Sequence, residues 1–178
     1  MKRILQGFIA LLTIALIISC STSNNKTSTQ TQASVPQTTP ASQNTGPTFT
    51  ALDLNGGTHT FAEYTGKGPL MVNFWGTWCP PCRMELPDLV RIYKEYKPKG
   101  LEIVGLAVKD TPDKVKQFAA QNNLNWVMLM GNMDALVSFG ATQGVPTTIF
   151  YNKDGVEVSR FIGARSYEDF KAQVEKII

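Results

Sequence analysis

At 178 residues, with 43% hydrophobic and 10% aromatic side chains, the chain has the material for one buried core of ordinary size. The formal charge of +3 counts Lys2 and Arg3, which lie in a segment read below as removed, so no basic surplus remains to recruit nucleic acid. With Cys20 read below as lipidated, Cys79, Cys82 and the single histidine leave a four-ligand zinc site one ligand short, and no metal or other cofactor is expected.

In chain order, residues 1–19 begin with a short basic start and continue as an apolar run from Ile4 to Ile18. About fifteen residues fall short of the ~20 that a permanent spanning helix needs. The run therefore reads as the hydrophobic region of a signal peptide, with an uncleaved anchor as the alternative. Cys20 closes it in the context Ile17-Ile18-Ser19-Cys20, which resembles a bacterial lipobox. Lipidation at Cys20 would hold the protein on the extracytoplasmic side of a bacterial membrane, periplasmic or cell-surface, and would leave Cys79 and Cys82 as the only free pair of thiols. Residues 20–47 are Ser, Thr, Asn, Gln and Pro with hardly an apolar side chain, too little to offset the entropy of ordering. They read as a tether, about 30 Å from end to end as a coil and about 90 Å when pulled straight.

Residues 48–178 read as one domain. Phe49 to Leu54 and Thr58 to Phe61 flank Asn55-Gly56-Gly57, a hairpin with turn residues that favour positive φ. Pro69 to Trp75 is a continuous apolar run suited to an interior strand. Glu85 to Lys97 carries Leu86, Leu89, Val90, Tyr93 and Tyr96 at helical spacing, and Pro98-Lys99-Gly100 stops it. Leu101 to Val108 predicts a buried strand, followed by a helix to about Asn122 with Thr111 as cap and Pro112 in its first turn. A short strand over Trp126 to Met130 and a brief helix over Met133 to Phe139 come next, with Met128, Met130 and Met133 as core fillers. Gly144 to Tyr151 enters a strand that Asn152-Lys153-Asp154-Gly155 turns back into Val156 to Ile162. A last helix starts at Ser166, with Asp169 in the capping-box position. Strands alternating with helices, then a hairpin and a helix, imply an α/β architecture with a mixed sheet flanked by helices. His59 reads as a solvent-facing strand residue.

The chemistry lies in Asn73-Phe74-Trp75-Gly76-Thr77-Trp78-Cys79-Pro80-Pro81-Cys82-Arg83-Met84-Glu85-Leu86-Pro87, a strand ending in a tight turn with Cys-x-x-Cys at the mouth of a helix. One helical turn places Cys79 beside Cys82, close enough for a disulfide. The partial positive charge at the helix start favours the Cys79 thiolate, which makes it the nucleophile and Cys82 the resolving thiol. Pro80 and Pro81 have no N–H, so two donors that would steady that thiolate are missing and the couple should be reducing. Glu85 lies three residues beyond Cys82 on the same helical face, within reach of its thiol directly or through one water, and is the candidate proton acceptor. A surface role for Glu85, or an ion pair with Arg83, is the plain alternative.

These residues resemble the thioredoxin superfamily, and within it the TlpA/ResA/CcmG branch of membrane-tethered thiol-disulfide oxidoreductases, with a redoxin or AhpC/TSA-like domain. Asn73, Asn-Phe-Trp-Gly-Thr-Trp-Cys and Glu85 carry the likeness, which covers Phe49 to the C-terminus. It implies a thioredoxin-like fold with an N-terminal hairpin and an insertion between Leu101 and Phe139. It also implies a cis peptide at Val145-Pro146, where Val145 backbone groups meet an incoming peptide, with Trp78 flanking the site. By the same likeness the substrates are disulfide-containing exported proteins, apocytochrome c among them, the reductant is a membrane electron-donor thiol protein, and the protein acts as a monomer. Two rivals stay open. A peroxidase of the peroxiredoxin type would need a threonine three residues before its reactive cysteine and a proline four before that, and Gly76 and Val72 stand there. A non-catalytic, lipid-anchored binding module is the other.

Overall fold

The computed structural model describes residues 46–178, and the signal peptide, Cys20 and nearly all of the expected tether lie outside the described residues. Seven strands form one mixed sheet in the order β2-β1-β5-β4-β3-β6-β7. The N-terminal hairpin is β1 (Thr50–Asp53) with β2 (Thr58–Thr60), closed through Gly56 at φ 92°. β3 (Leu70–Trp75) and β4 (Glu102–Val108) pair in parallel, as do β4 and β5 (Val127–Gly131). β6 (Thr147–Tyr151) runs antiparallel to β3 and makes the terminal hairpin with β7 (Glu157–Ile162). The segment expected as an insertion supplies β4, α2 (Pro112–Gln121), β5 and α3 (Met133–Ser138), and β4 is the middle strand of the sheet.

Strand alternation divides the core in two. On β3, Met71 and Trp75 face one side while Leu70, Val72 and Phe74 face the other. The first side packs against α1 (Pro80–Tyr96) through Leu86, Leu89, Ile92 and Tyr96, against α2 through Val115 and Ala119, and against α4 (Tyr167–Ile177) through Phe170, Val174 and Ile177. The second side is covered by Phe49, Phe61, Ala135 and Phe139. Asn73 sits between Met71 and Trp75 in this alternation, so its amide enters the interior under α1 rather than the opposite core.

Helix ends follow local chemistry in three cases of four. The Ser166 hydroxyl and the Asp169 carboxylate form the expected capping box on α4. Asn132 caps α3 by accepting from the Ala135 N–H at 2.8 Å. Gly100, at φ 98°, ends the 3-10 turn that follows α1. Thr111 occupies the N-cap position of α2, but its hydroxyl makes no capping bond. Asp110 instead accepts from the Thr111 N–H at 3.1 Å.

Two side chains differ from expectation. Met133 is no core filler: at the start of α3 it is 60% exposed, because the buried face of that short helix is taken by Ala135. His59 does not simply face solvent. Its ring lies between Asp53 and Glu63, 3.5 and 3.0 Å away, and Nδ1 is 2.9 Å from the Tyr64 hydroxyl, which ties the hairpin to the turn after β2. Among the described residues no helix is long and apolar enough to cross a membrane.

Candidate active site

The site forms where β3 runs out. The Cys79 N–H donates to the Gly76 carbonyl at 3.1 Å, making a turn directly after Trp75. A side chain on Gly76 would not fit, since a Cβ there would lie 2.6 Å from the Trp78 indole nitrogen. The loop is tied to the end of β4 by two bonds. Trp78 Nε1 donates to the Val108 carbonyl at 2.9 Å, and the Thr77 N–H donates to Asp110 Oδ2 at 2.7 Å.

Cys79 is the N-cap of α1, with Pro80 and Pro81 in the first two helical positions. The prolines leave only the third amide to point at the sulfur, and the Cys82 N–H donates to Cys79 Sγ at 3.2 Å. The two cysteines are joined as a disulfide, with Cα atoms 5.3 Å apart. Cys79 is 2% exposed and Cys82 fully buried, so an incoming group meets Cys79 first. Opposite it, Cys79 Sγ lies 3.6 Å from the Val145 carbonyl oxygen, and the Val145-Pro146 peptide is cis. Trp78, Lys109, Leu136, Gly144 and Val145 line a 280 Å³ pocket beside this contact, and Trp78 is half exposed at its rim.

Glu85 lies below the pair and is 2% exposed. Its Oε1 accepts from Asn73 Nδ2 at 3.1 Å and its Oε2 from the Arg165 N–H at 3.3 Å. Burial pushes the carboxyl up to about 7, against the lowering pull of those two donors and the Arg165 charge. Glu85 is therefore neither a surface residue nor paired with Arg83. In the disulfide form Cys82 carries no S–H, and no hydrogen bond joins it to Glu85.

Asn73 also donates to Thr148 Oγ1 on β6 at 2.9 Å, so strand, helix and C-terminal loop all converge on one carboxyl. Thr148, Asp110 and the Arg165 amide are the parts sequence reasoning missed. Thr148 had a faint signal, a polar residue inside an apolar strand; a backbone amide brought in from eighty positions away has none. Among the described residues no group of three His, Cys, Asp or Glu side chains is placed to hold a metal ion.

A Cys-x-x-Cys disulfide at a helix start, on a mixed sheet flanked by helices, defines a thioredoxin-like thiol-disulfide oxidoreductase. The chain belongs to the AhpC/TSA family, whose model matches residues 43–158. It is 34% identical over 131 residues to the thiol-disulfide oxidoreductase ResA of Bacillus cereus, covering 74% of this chain and 75% of that one. To the ResA of Geobacillus kaustophilus it is 35% identical over 134 residues, covering 75% and 76%. Among solved structures it is similar to a thiol:disulfide interchange protein of the thioredoxin family from Chlorobium tepidum, with a TM-score of 0.66 and 29% identity over 74% of this chain and 94% of that one. It is also similar to a secreted Mycobacterium tuberculosis disulfide oxidoreductase homologous to Escherichia coli DsbE, with a TM-score of 0.63 and 26% identity over 72% and 95%.

Proposed function

We propose that the protein is a lipid-anchored reductant of disulfides in exported proteins, working as a monomer on the extracytoplasmic side of a bacterial membrane. The observation that carries this reading is the environment of Cys79. Its sulfur caps a helix, faces the Val145 carbonyl, and has a resolving partner one turn away over a buried carboxyl near neutrality. The Cys79 thiolate attacks a substrate disulfide; one S–S bond forms, one breaks, and one substrate thiolate leaves. The Cys82 thiol gives its proton to Glu85, directly or through one water, and attacks Cys79 Sγ. The mixed disulfide breaks, the second substrate thiolate leaves and takes up a proton, and the enzyme retains the Cys79–Cys82 disulfide. A membrane electron-donor thiol protein then reduces it.

The direction of reaction rests on Pro80 and Pro81. With one amide instead of three aimed at Cys79, the thiolate is stabilised less and the disulfide is favoured, which makes the dithiol a donor of electrons. The names of the ResA relatives support thiol-disulfide exchange, and apocytochrome c is the substrate that the resemblance suggests first. Family membership alone leaves peroxidase activity open, but Gly76 and Val72 offer no hydroxyl and no proline to hold a peroxide at Cys79.

Equilibration of the full chain in detergent with glutathione buffers, alongside an insulin-reduction assay, tests the reading. The expected results are a potential more reducing than that of the glutathione couple and steady turnover of insulin disulfides. A titratable pair that exchanges with no disulfide would assign the chain to the binding modules instead.

A further inference from the structure

Beside the cysteines, between the start of α1 and the length of α2, lies a polar groove that the sulfur chemistry does not use. It consists of two adjoining hollows of 480 and 340 Å³ that share Arg83, Phe118 and Asn122. Thr77 lines one and Pro80 the other, so the groove comes within two residues of Cys79 on either side. Its charged lining is Arg83 and Lys114, and no carboxylate lines either hollow. The carboxamides of Gln117, Gln121 and Asn122 complete the polar wall.

The two cations are free. Neither Arg83 nor Lys114 has an ion-pair partner among the described residues, a condition that most of the cations there share; what sets these two apart is that both line a hollow whose lining holds no carboxylate. Asp110, the acid tied to the Thr77 end of the groove, is already occupied by the Thr77 and Thr111 amides. The Arg83 guanidinium lies 5.7 Å from the centre of the Phe118 ring, a contact that orients the fork without neutralising it. An oriented guanidinium, an ammonium and three amides form a donor-rich wall suited to carboxylates.

We propose that this groove receives carboxylates of an acidic segment flanking the disulfide of the protein substrate. The assignment rests on the reductase reading and adds a substrate class to it. An extended chain covers about 3.3 Å per residue, so side chains two to four positions from a cysteine held at Cys79 reach the groove. The consequence is kinetic: opposite charges raise the encounter rate at low salt, and the advantage fades as salt screens it.

Three synthetic peptide disulfides, alike except for aspartate, serine or lysine beside the cysteine, test this with the reduced full chain in detergent, followed by stopped-flow tryptophan fluorescence. At low ionic strength the aspartate peptide should be reduced about tenfold faster than the lysine peptide, with the ratio approaching one in high salt. Arg83→Gln with Lys114→Gln should bring the ratio to about one at low salt, and Arg83→Glu with Lys114→Glu should invert it. The ratio cancels any general change in Cys79 reactivity. An acidic preference that survives both double variants would overturn the proposal. So would a wild-type ratio of one together with binding to phosphatidylglycerol vesicles that the variants lose, which would assign the groove to lipid headgroups. Failure of wild type to reduce even the serine peptide would strike at the reductase reading rather than at the groove.

Discussion

Asn73 and Glu85 meet in the interior, Nδ2 to Oε1 at 3.1 Å, and the other hydrogen of the same amide goes to Thr148 Oγ1 at 2.9 Å. An aspartate at position 73 would place a second carboxylate against Glu85 and supply no donor. The amide holds one carboxyl in place and leaves it as the one acid under the sulfur pair. Glu85→Gln should therefore keep the fold and the first attack by Cys79 while slowing release of reduced substrate, by about 10²-fold or more near neutral pH. The defect should shrink as alkaline pH ionises Cys82 unaided. Stopped-flow resolution of the mixed disulfide across a pH series checks this, and equal rates at every pH would make Glu85 a bystander.

The same carboxyl makes stability depend on pH. Its value rises from 4.5 to about 7 on folding because burial penalises the charged form. A raised carboxyl favours the folded state fully only below its unfolded value, and that contribution is lost as pH climbs through the folded value. Wild type should thus lose stability between about pH 4.5 and pH 7, on the order of 3 kcal/mol from this group. Glu85→Gln cannot ionise and should show none of that loss. Urea unfolding of both oxidised proteins at pH 5 and pH 8 measures the difference; parallel pH dependence in the two would contradict it.

A third prediction concerns Gly105, in the middle of the central strand. A Cβ there would lie 2.9 Å from Met128 Sδ and 3.1 Å from the indole nitrogens of both Trp75 and Trp126. The thioether can move, but the two indoles are buried and packed. Gly105→Ala should cost about 1–3 kcal/mol through overpacking. Its urea midpoint should fall, whereas a midpoint equal to that of wild type would show that the indoles yield.

Much of this was legible in the chain because its signals are local. The hairpin turns, the capping box of Ser166 with Asp169, the apolar run of β3 and the Cys-x-x-Cys at a helix start each depend on neighbours a few positions apart. What escaped depends on which partners the folded chain gives each side chain. Thr111 takes the N-cap position yet its hydroxyl makes no capping bond, and Met133 looks apolar enough for the core until Ala135 fills the buried face of α3. His59 looks like an exposed strand residue until the hairpin folds it between two carboxylates. Helical spacing sets Glu85 one turn beyond Cys82, but its partners, Asn73 twelve positions away and the Arg165 amide eighty away, come from tertiary packing that no spacing encodes.

The central claim is that Cys79 attacks and Cys82 resolves, and trapping tests it most directly. Cys82→Ser, reduced and mixed with a protein disulfide, should accumulate a covalent adduct that non-reducing gels display and peptide mass mapping places at Cys79, while Cys79→Ser should trap almost none. Adducts at Cys82 in Cys79→Ser, with none at Cys79 in Cys82→Ser, would contradict the account.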